Sequence, residues 1–120
     1  MMDAQEQRRL LDLAAKAAGV EIKWNVMINP YSPFLAPKTQ QERNWLGHEH
    51  TPWDPYIDDG DSRRLQVALE LELRVFNGKA HAGKQDQFWI TENWFPDGDP
   101  NTASRLAVLR AAAVLGENMP

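Results

Sequence analysis

The fold is decided by residues 69–78, which read Leu69-Glu70-Leu71-Glu72-Leu73-Arg74-Val75-Phe76-Asn77-Gly78. Apolar and charged side chains alternate up to Phe76, and this period of two is typical of a strand with one buried face. The Asn77-Gly78 pair tolerates two positive φ angles and is the strongest short-range signal for a β-hairpin. The stretch therefore predicts that a helix ends near Glu70 and that strand 71–76 then pairs with strand 79–82.

The helix before this hairpin is predicted from a second pattern. Leu65, Ala68 and Leu69 recur at helical spacing and supply a buried side. Asp61 or Ser62 can cap the first turn by accepting a backbone N–H, and an acid there suits the positive end of the helix dipole. We therefore expect the helix to begin at Asp61 or Ser62.

Two further elements are predicted before the central helix. The pattern over residues 3–18 predicts a helix that ends at Gly19. Residues 1–9, where the chain is mostly polar, are expected to fray or to project into solvent. The alternation over residues 22–28 predicts a strand whose phase places Trp24 in the core.

The chain after the hairpin predicts two more elements. A short strand over 87–90 is expected, with Trp89 on the face opposite its two apolar neighbours. A final alanine-rich helix is expected to begin with Asn101 or Thr102 as its cap and to end at Gly116.

Residues 30–55 form a different kind of segment. Five of the eight prolines lie here, among scattered aromatic side chains and without a sustained period. Long irregular segments of this kind are uncommon in small domains and are often functional. The aromatic content indicates that parts of the predicted loop pack down, because disordered segments are poor in aromatic residues.

The order of elements is helix, strand, loop, helix, two or three strands, helix. We predict a single α+β domain, because 120 residues suit one domain and each apolar face needs a cover. The economical arrangement is a small antiparallel or mixed sheet covered by helices, similar to an α-β-α sandwich.

Composition limits the class of protein. Seventeen acidic residues against thirteen basic ones give a net charge of -4, which disfavours nonspecific binding to nucleic acid. The chain has no cysteine, so a disulfide framework and a thiolate metal site are excluded. No apolar run approaches the ~20 residues of a membrane span, and no secretory signal pattern is present. We expect a cytoplasmic protein that does not engage a membrane.

A motif in the centre of the chain resembles one found in small bacteriophage and prophage proteins. It runs from Trp53-Asp54-Pro55 through Asp58-Asp59-Gly60-Asp61-Ser62 into a leucine-containing helix. Segments 11–20 and 102–113 are also similar to the phage NinX-like group and to the phage α-β-α sandwich domain group. This sequence has Asp54 where the motif has Asn. The resemblance implies an α+β sandwich of phage or prophage origin in the bacterial host cytoplasm, and it transfers no catalytic residue.

Two sets of residues could form a site. His48 and His50 lie two positions apart, and together with Asp54 and Asp58 they could ligate a divalent cation. The alternative is that the histidines are surface loop residues and that the aspartates form turns and caps. The second set is aromatic, because tryptophan and tyrosine are common anchors of protein interfaces. It consists of Trp45, Trp53, Tyr56, Trp89 and Trp94. The alternative for this set is burial beneath the long loop.

No nucleophile, phosphate-binding or acid–base motif is recognisable, so we expect neither an enzyme nor a cofactor. The sequence favours an accessory protein that binds a host or phage protein and inhibits a host defence complex. The alternative is a module that binds a small ligand or a divalent metal through residues 48–61. A homodimer remains open.

Overall fold

The computed structural model describes residues 2–25, 27–36 and 51–120, which contain three helices and five strands. In chain order these are α1 (Ala4–Ala18), β1 (Ile22–Lys23), β2 (Phe34–Leu35), α2 (Asp59–Ala68), β3 (Glu72–Phe76), β4 (Lys79–Lys84), β5 (Phe88–Asn93) and α3 (Pro100–Glu117). The strands form two antiparallel sheets, β1-β2 and β3-β4-β5. The predicted α+β class is confirmed.

The predicted hairpin is present. Phe76 pairs with Lys79 across a two-residue turn in which Asn77 and Gly78 have φ angles of 49° and 74°. Two positive φ angles give the turn the twist that matches the flanking strands. The change from helix to strand also lies where the sequence places it, since α2 ends at Ala68 and Glu70 adopts a φ of 55°.

Helix α3 covers one face of the three-stranded sheet. Its buried side is mostly alanine, and these small side chains let it lie close to β4 and β5. Helix α1 packs against α3 and not against the second face of the sheet. The expected covering of the sheet by helices is therefore found, among the described elements, on one face.

A glycine permits the contact between α1 and α3. A Cβ atom on Gly116 would lie 2.0 Å from the carbonyl oxygen of Leu13, so only glycine fits the crossing. The prediction that Gly116 ends the last helix is wrong, because α3 continues to Glu117. Gly19, by contrast, ends α1 as predicted, with a φ of 70°.

The strand predicted over 22–28 is much shorter. Of the described residues in this range only Ile22 and Lys23 pair, with Leu35 and Phe34, and Ile28 N then donates to Asn25 O at 3.0 Å. Trp24 is half-buried through contacts with α1. Its Nε1 donates to Asp12 Oδ1 at 2.8 Å, and the Arg8 guanidinium lies 4.5 Å from its ring centre. These contacts to α1 take the place of further strand pairing.

Two predicted helix caps are also corrected. Asp58 caps α2, accepting from Asp61 N at 2.8 Å, so Asp61 and Ser62 lie inside the first turn and are buried. Asp99 caps α3 in place of Asn101 or Thr102, because Pro100 is preset for the first helical position. Both helices begin earlier than predicted.

The beginning of α1 is more ordered than predicted. Residues 4–9, expected to fray, are helical, with Asp3 capping α1 and accepting from Glu6 N at 2.8 Å.

The last strand is present and longer than predicted. The strand predicted over 87–90 is found as Phe88–Asn93, with Trp89 on the opposite face from its neighbours. Within β5, Glu92 lies on the helix-covered face and its Oε1 is 2.9 Å from Arg110 Nε of α3.

The described parts of the predicted loop 30–55 fold back onto the domain. Phe34 and Trp53 are buried, and Trp53 N donates to Pro33 O at 3.0 Å. The predicted packing of aromatic side chains in this segment is thus confirmed at Phe34 and Trp53. No helix in the described ranges is both long and apolar enough to cross a membrane.

Candidate protein-binding face

The face of the three-stranded sheet that none of the described elements covers carries a group of rings and cations that we call the ring face. Its members are Arg74, Phe76, Lys79, His81, Trp89 and Thr91. Alternation along each strand and the pairing of Arg74 with His81, and of His81 with Thr91, place them on the side away from α3. The hairpin register thus assembles the group from three separate strands.

The rings form a diagonal row across the three strands. The ring centres of Phe76 and His81 are 5.2 Å apart with an interplanar angle of 30°, and those of His81 and Trp89 are 6.5 Å apart at 89°. These are the stacked and edge-on arrangements that aromatic groups prefer. Phe76 is 46% exposed and Trp89 38% exposed. The row is therefore preorganised and open to solvent.

Polar contacts hold the row in place. Thr91 Oγ1 lies 2.8 Å from His81 Nδ1, and the Arg74 guanidinium lies 5.2 Å from the Trp89 ring centre. Arg74 Nη2 also donates to Glu72 Oε2 at 3.2 Å. Arg74 and Thr91 are thus fixed beside the rings by contacts within the face, which lowers the conformational entropy that binding would cost.

The charge of this face differs from that of the whole protein. Arg74 and Lys79 are opposed by the single carboxylate of Glu72, whereas the chain carries a net charge of -4. Within the described part of the chain, no carboxylate forms an ion pair with Lys79. The ring face is therefore a cationic aromatic surface on an acidic protein.

The predicted aromatic set is divided by the structure. Trp89 lies on the ring face, and Trp94 is half-buried against the core, with no hydrogen-bond partner for its buried Nε1 among the described residues. Tyr56 is half-buried, and its backbone N and O pair with Asp54 and Arg105. Trp53 is only 6% exposed, so the alternative of burial holds for it. Trp45 lies outside the described residues.

Sequence reasoning named Trp89 and missed the other five members of the ring face, which are Arg74, Phe76, Lys79, His81 and Thr91. The signal was available for part of the group. A two-residue turn at 77–78 places Phe76 opposite Lys79, and this register puts Arg74 opposite His81. The position of Trp89 beside His81 depends on the β4–β5 pairing, for which the sequence offers no comparable turn pair.

The aspartates of the 53–62 motif hold the loop against α2. Asp54 is 2% exposed; it accepts a hydrogen bond from Ser32 Oγ and another from Tyr56 N at 2.9 Å. Asp61 Oδ2 accepts from Asp54 N at 2.9 Å, and its Oδ1 accepts from Arg64 Nη2 at 2.7 Å. Each of these carboxylates is therefore satisfied within the fold.

Burial raises the pKa of the Asp54 carboxyl above its usual value. Hydrogen bonds from Ser32 and from the backbone of Tyr56 oppose this effect, and the nearby charge of Asp61 adds to it. Burying the charged form of Asp54 therefore costs free energy, and the hydrogen bonds from Ser32 and Tyr56 offset part of that cost.

The predicted metal site is only partly within the described residues. His48 and His50 lie outside them, and Asp58 is used as the cap of α2. In the ranges that the structure describes, no three histidine, aspartate or glutamate side chains are grouped so that they could hold a metal ion. The metal hypothesis therefore stays a prediction that depends on His48 and His50.

Comparison with known proteins found no matching family model, no similar curated protein and no similar solved structure. The resemblance to phage proteins therefore remains a prediction from the 53–62 motif and the two chain ends.

Proposed function

We propose that this protein acts by binding another protein through the ring face, without catalysing a reaction. The observation that carries the proposal is the exposed row formed by Phe76, His81 and Trp89 with Arg74 stacked on Trp89. Aromatic side chains, tryptophan above all, and arginine are enriched in protein interfaces and often dominate their binding energy. On a soluble domain such a group is otherwise expected to be covered.

The class of partner follows from the sequence resemblance. The 53–62 motif favours a phage or prophage accessory protein in the cytoplasm of a bacterial host. Its partner is then a host or phage protein, and a component of a host defence complex is the partner that we propose. The activity needs no cofactor, because it consists of occupying a surface on the partner.

The test is capture from a bacterial lysate with the immobilised protein. We expect wild type to retain a specific protein and the double variant Phe76→Ala/Trp89→Ala to lose it. Val67→Ala is the matched control, since Val67 is 60% exposed on α2 and lies outside the ring face. Equal capture by the double variant, with an unchanged circular dichroism spectrum, would contradict the proposal.

A further inference from the structure

We infer that the segment of the partner that binds the ring face is an extended, acidic polypeptide with aromatic or other apolar side chains. This inference rests on the proposed function and specifies the chemistry of the partner at the same surface. It is carried by the charge of the face and by its shape.

The charge favours an acidic segment. Lys79 has no ion pair among the described residues, and Arg74 is shared between the Trp89 ring and Glu72. A partner carboxylate can therefore pair with Lys79 without displacing a contact that the structure already makes. The remaining chain is acidic, so carboxylates elsewhere on the partner are repelled and the attraction is confined to this face.

The shape favours an extended segment. The rings run diagonally from Phe76 on β3 to Trp89 on β5, with Arg74 on one side of the row and Lys79 on the other. Three strands of about five residues span roughly 240 Å² in projection. An extended segment of about seven residues matches the diagonal, and its alternate side chains can pack on the rings.

The charge of the ring face argues against a second copy of this chain on it. Two copies related by a two-fold axis would bring Arg74 and Lys79 of one copy towards the same cations of the other. The homodimer that the sequence leaves open therefore does not use this face.

The experiment measures the binding of labelled peptides of about seven residues by fluorescence anisotropy. The probe is a Glu/Tyr peptide; a Lys/Tyr peptide tests the charge, a Glu/Ser peptide tests the rings, and an oligothymidylate tests nucleic acid. We expect the Glu/Tyr peptide to bind most tightly, and its affinity to fall when salt rises from about 50 mM to about 500 mM.

The variants are Arg74→Glu/Lys79→Glu, with Arg63→Glu on α2 as the control for adding negative charge outside the face. We expect the double reversal to weaken binding of the Glu/Tyr peptide by at least about tenfold and the control to leave it within about twofold. The salt series on wild type gives the same information without depending on the folding of a variant.

Equal binding of the Glu/Tyr and Lys/Tyr peptides would overturn the inference, and so would tighter binding of the oligothymidylate. In either case the proposed function survives if the lysate partner is still lost with Phe76→Ala/Trp89→Ala. If that double variant retains the lysate partner, the proposed function fails, whatever the peptides show.

Discussion

Arg105 of α3 donates from Nη1 to Asp59 Oδ1 of α2 at 2.6 Å. Its Nε donates to the Tyr56 carbonyl oxygen at 2.9 Å, so one guanidinium joins α3 to the turn that leads into α2. The Arg105 side chain is 17% exposed, whereas Asp59 is 78% exposed. The backbone contact is the one shielded from water, and it is therefore the one that matters for stability.

Arg105→Ala should lower the free energy of unfolding by about 1–2 kcal/mol, since it leaves the Tyr56 carbonyl without its donor. Urea denaturation measures the effect, with Arg63→Ala on the exposed side of α2 as the control. Asp59→Ala should cost much less, because an exposed ion pair contributes little. A larger loss for Asp59→Ala than for Arg105→Ala would contradict this assignment.

Gly116→Ala should destabilise the protein by about 1–3 kcal/mol, because the new Cβ would push α3 away from α1. The clash is with the backbone oxygen of Leu13, which cannot rotate aside as a side chain would. Thermal unfolding of Gly116→Ala beside Glu117→Ala, an exposed position one residue later, isolates the contact. In an isolated helix the same change from glycine to alanine would stabilise the helix. A lower unfolding temperature for Gly116→Ala would therefore show that the contact with α1 requires glycine, and a higher one would contradict this.

Gly78→Val should also destabilise, by about 2 kcal/mol or more, because a β-branched residue is forced to a positive φ. Its Cβ would also lie 2.3 Å from Phe95 Cβ. Gly60→Ala is the comparison, since the φ of Gly60 is not in the left-handed region and the atoms nearest to its Cβ are side-chain ends of Arg64 and Asp58 at 3.2 to 3.3 Å. An unchanged denaturation midpoint for Gly78→Val would mean that the turn does not require glycine.

Asp54→Asn should change how stability depends on pH. A carboxyl whose pKa is raised in the folded state binds protons more readily there than in the unfolded chain, whose value is near 3.8. The cost of burying the Asp54 charge is therefore fully present at neutral pH and is relieved as pH falls through the folded pKa towards 3.8.

Asn keeps an acceptor for Tyr56 N and can donate to Ser32 Oγ, so the hydrogen bonds survive without the charge. We expect Asp54→Asn to be the more stable protein at neutral pH, with the difference from wild type shrinking as pH falls towards 4. Denaturation midpoints at a series of pH values measure that difference. A difference that grows on acidification would show that the charge of Asp54 stabilises the fold.

The sequence predicted the hairpin because its signal is local. Asn77 and Gly78 specify the turn whatever surrounds them, and the helix-to-strand change at Glu70 follows from the position of that turn. The α+β class then follows from the order of the elements. The turn and the end of α2 could be predicted because both are determined by residues close together in the sequence.

The misplaced elements depend on choices between similar residues or on distant contacts. Asp58 and Asp61 are equally good caps in a sequence, and only the packing of the loop decides between them. A glycine near the end of a helix indicates its end, but Gly116 is required by Leu13, about a hundred positions away. The contact between His81 and Trp89 was missed for the same reason, since these two residues meet only through the pairing of β4 with β5.

The ion pair between Glu92 and Arg110 has a consequence for self-association. Strand β5 is an edge strand of its sheet, and the carboxylate of Glu92 lies on the face that packs against α3. An incoming strand from another molecule would have to cover that charge or separate the pair. Inward-pointing charges on border strands are one way in which proteins prevent fibril growth. Glu92→Val would remove this barrier and leave the row of backbone amides open to cross-β stacking.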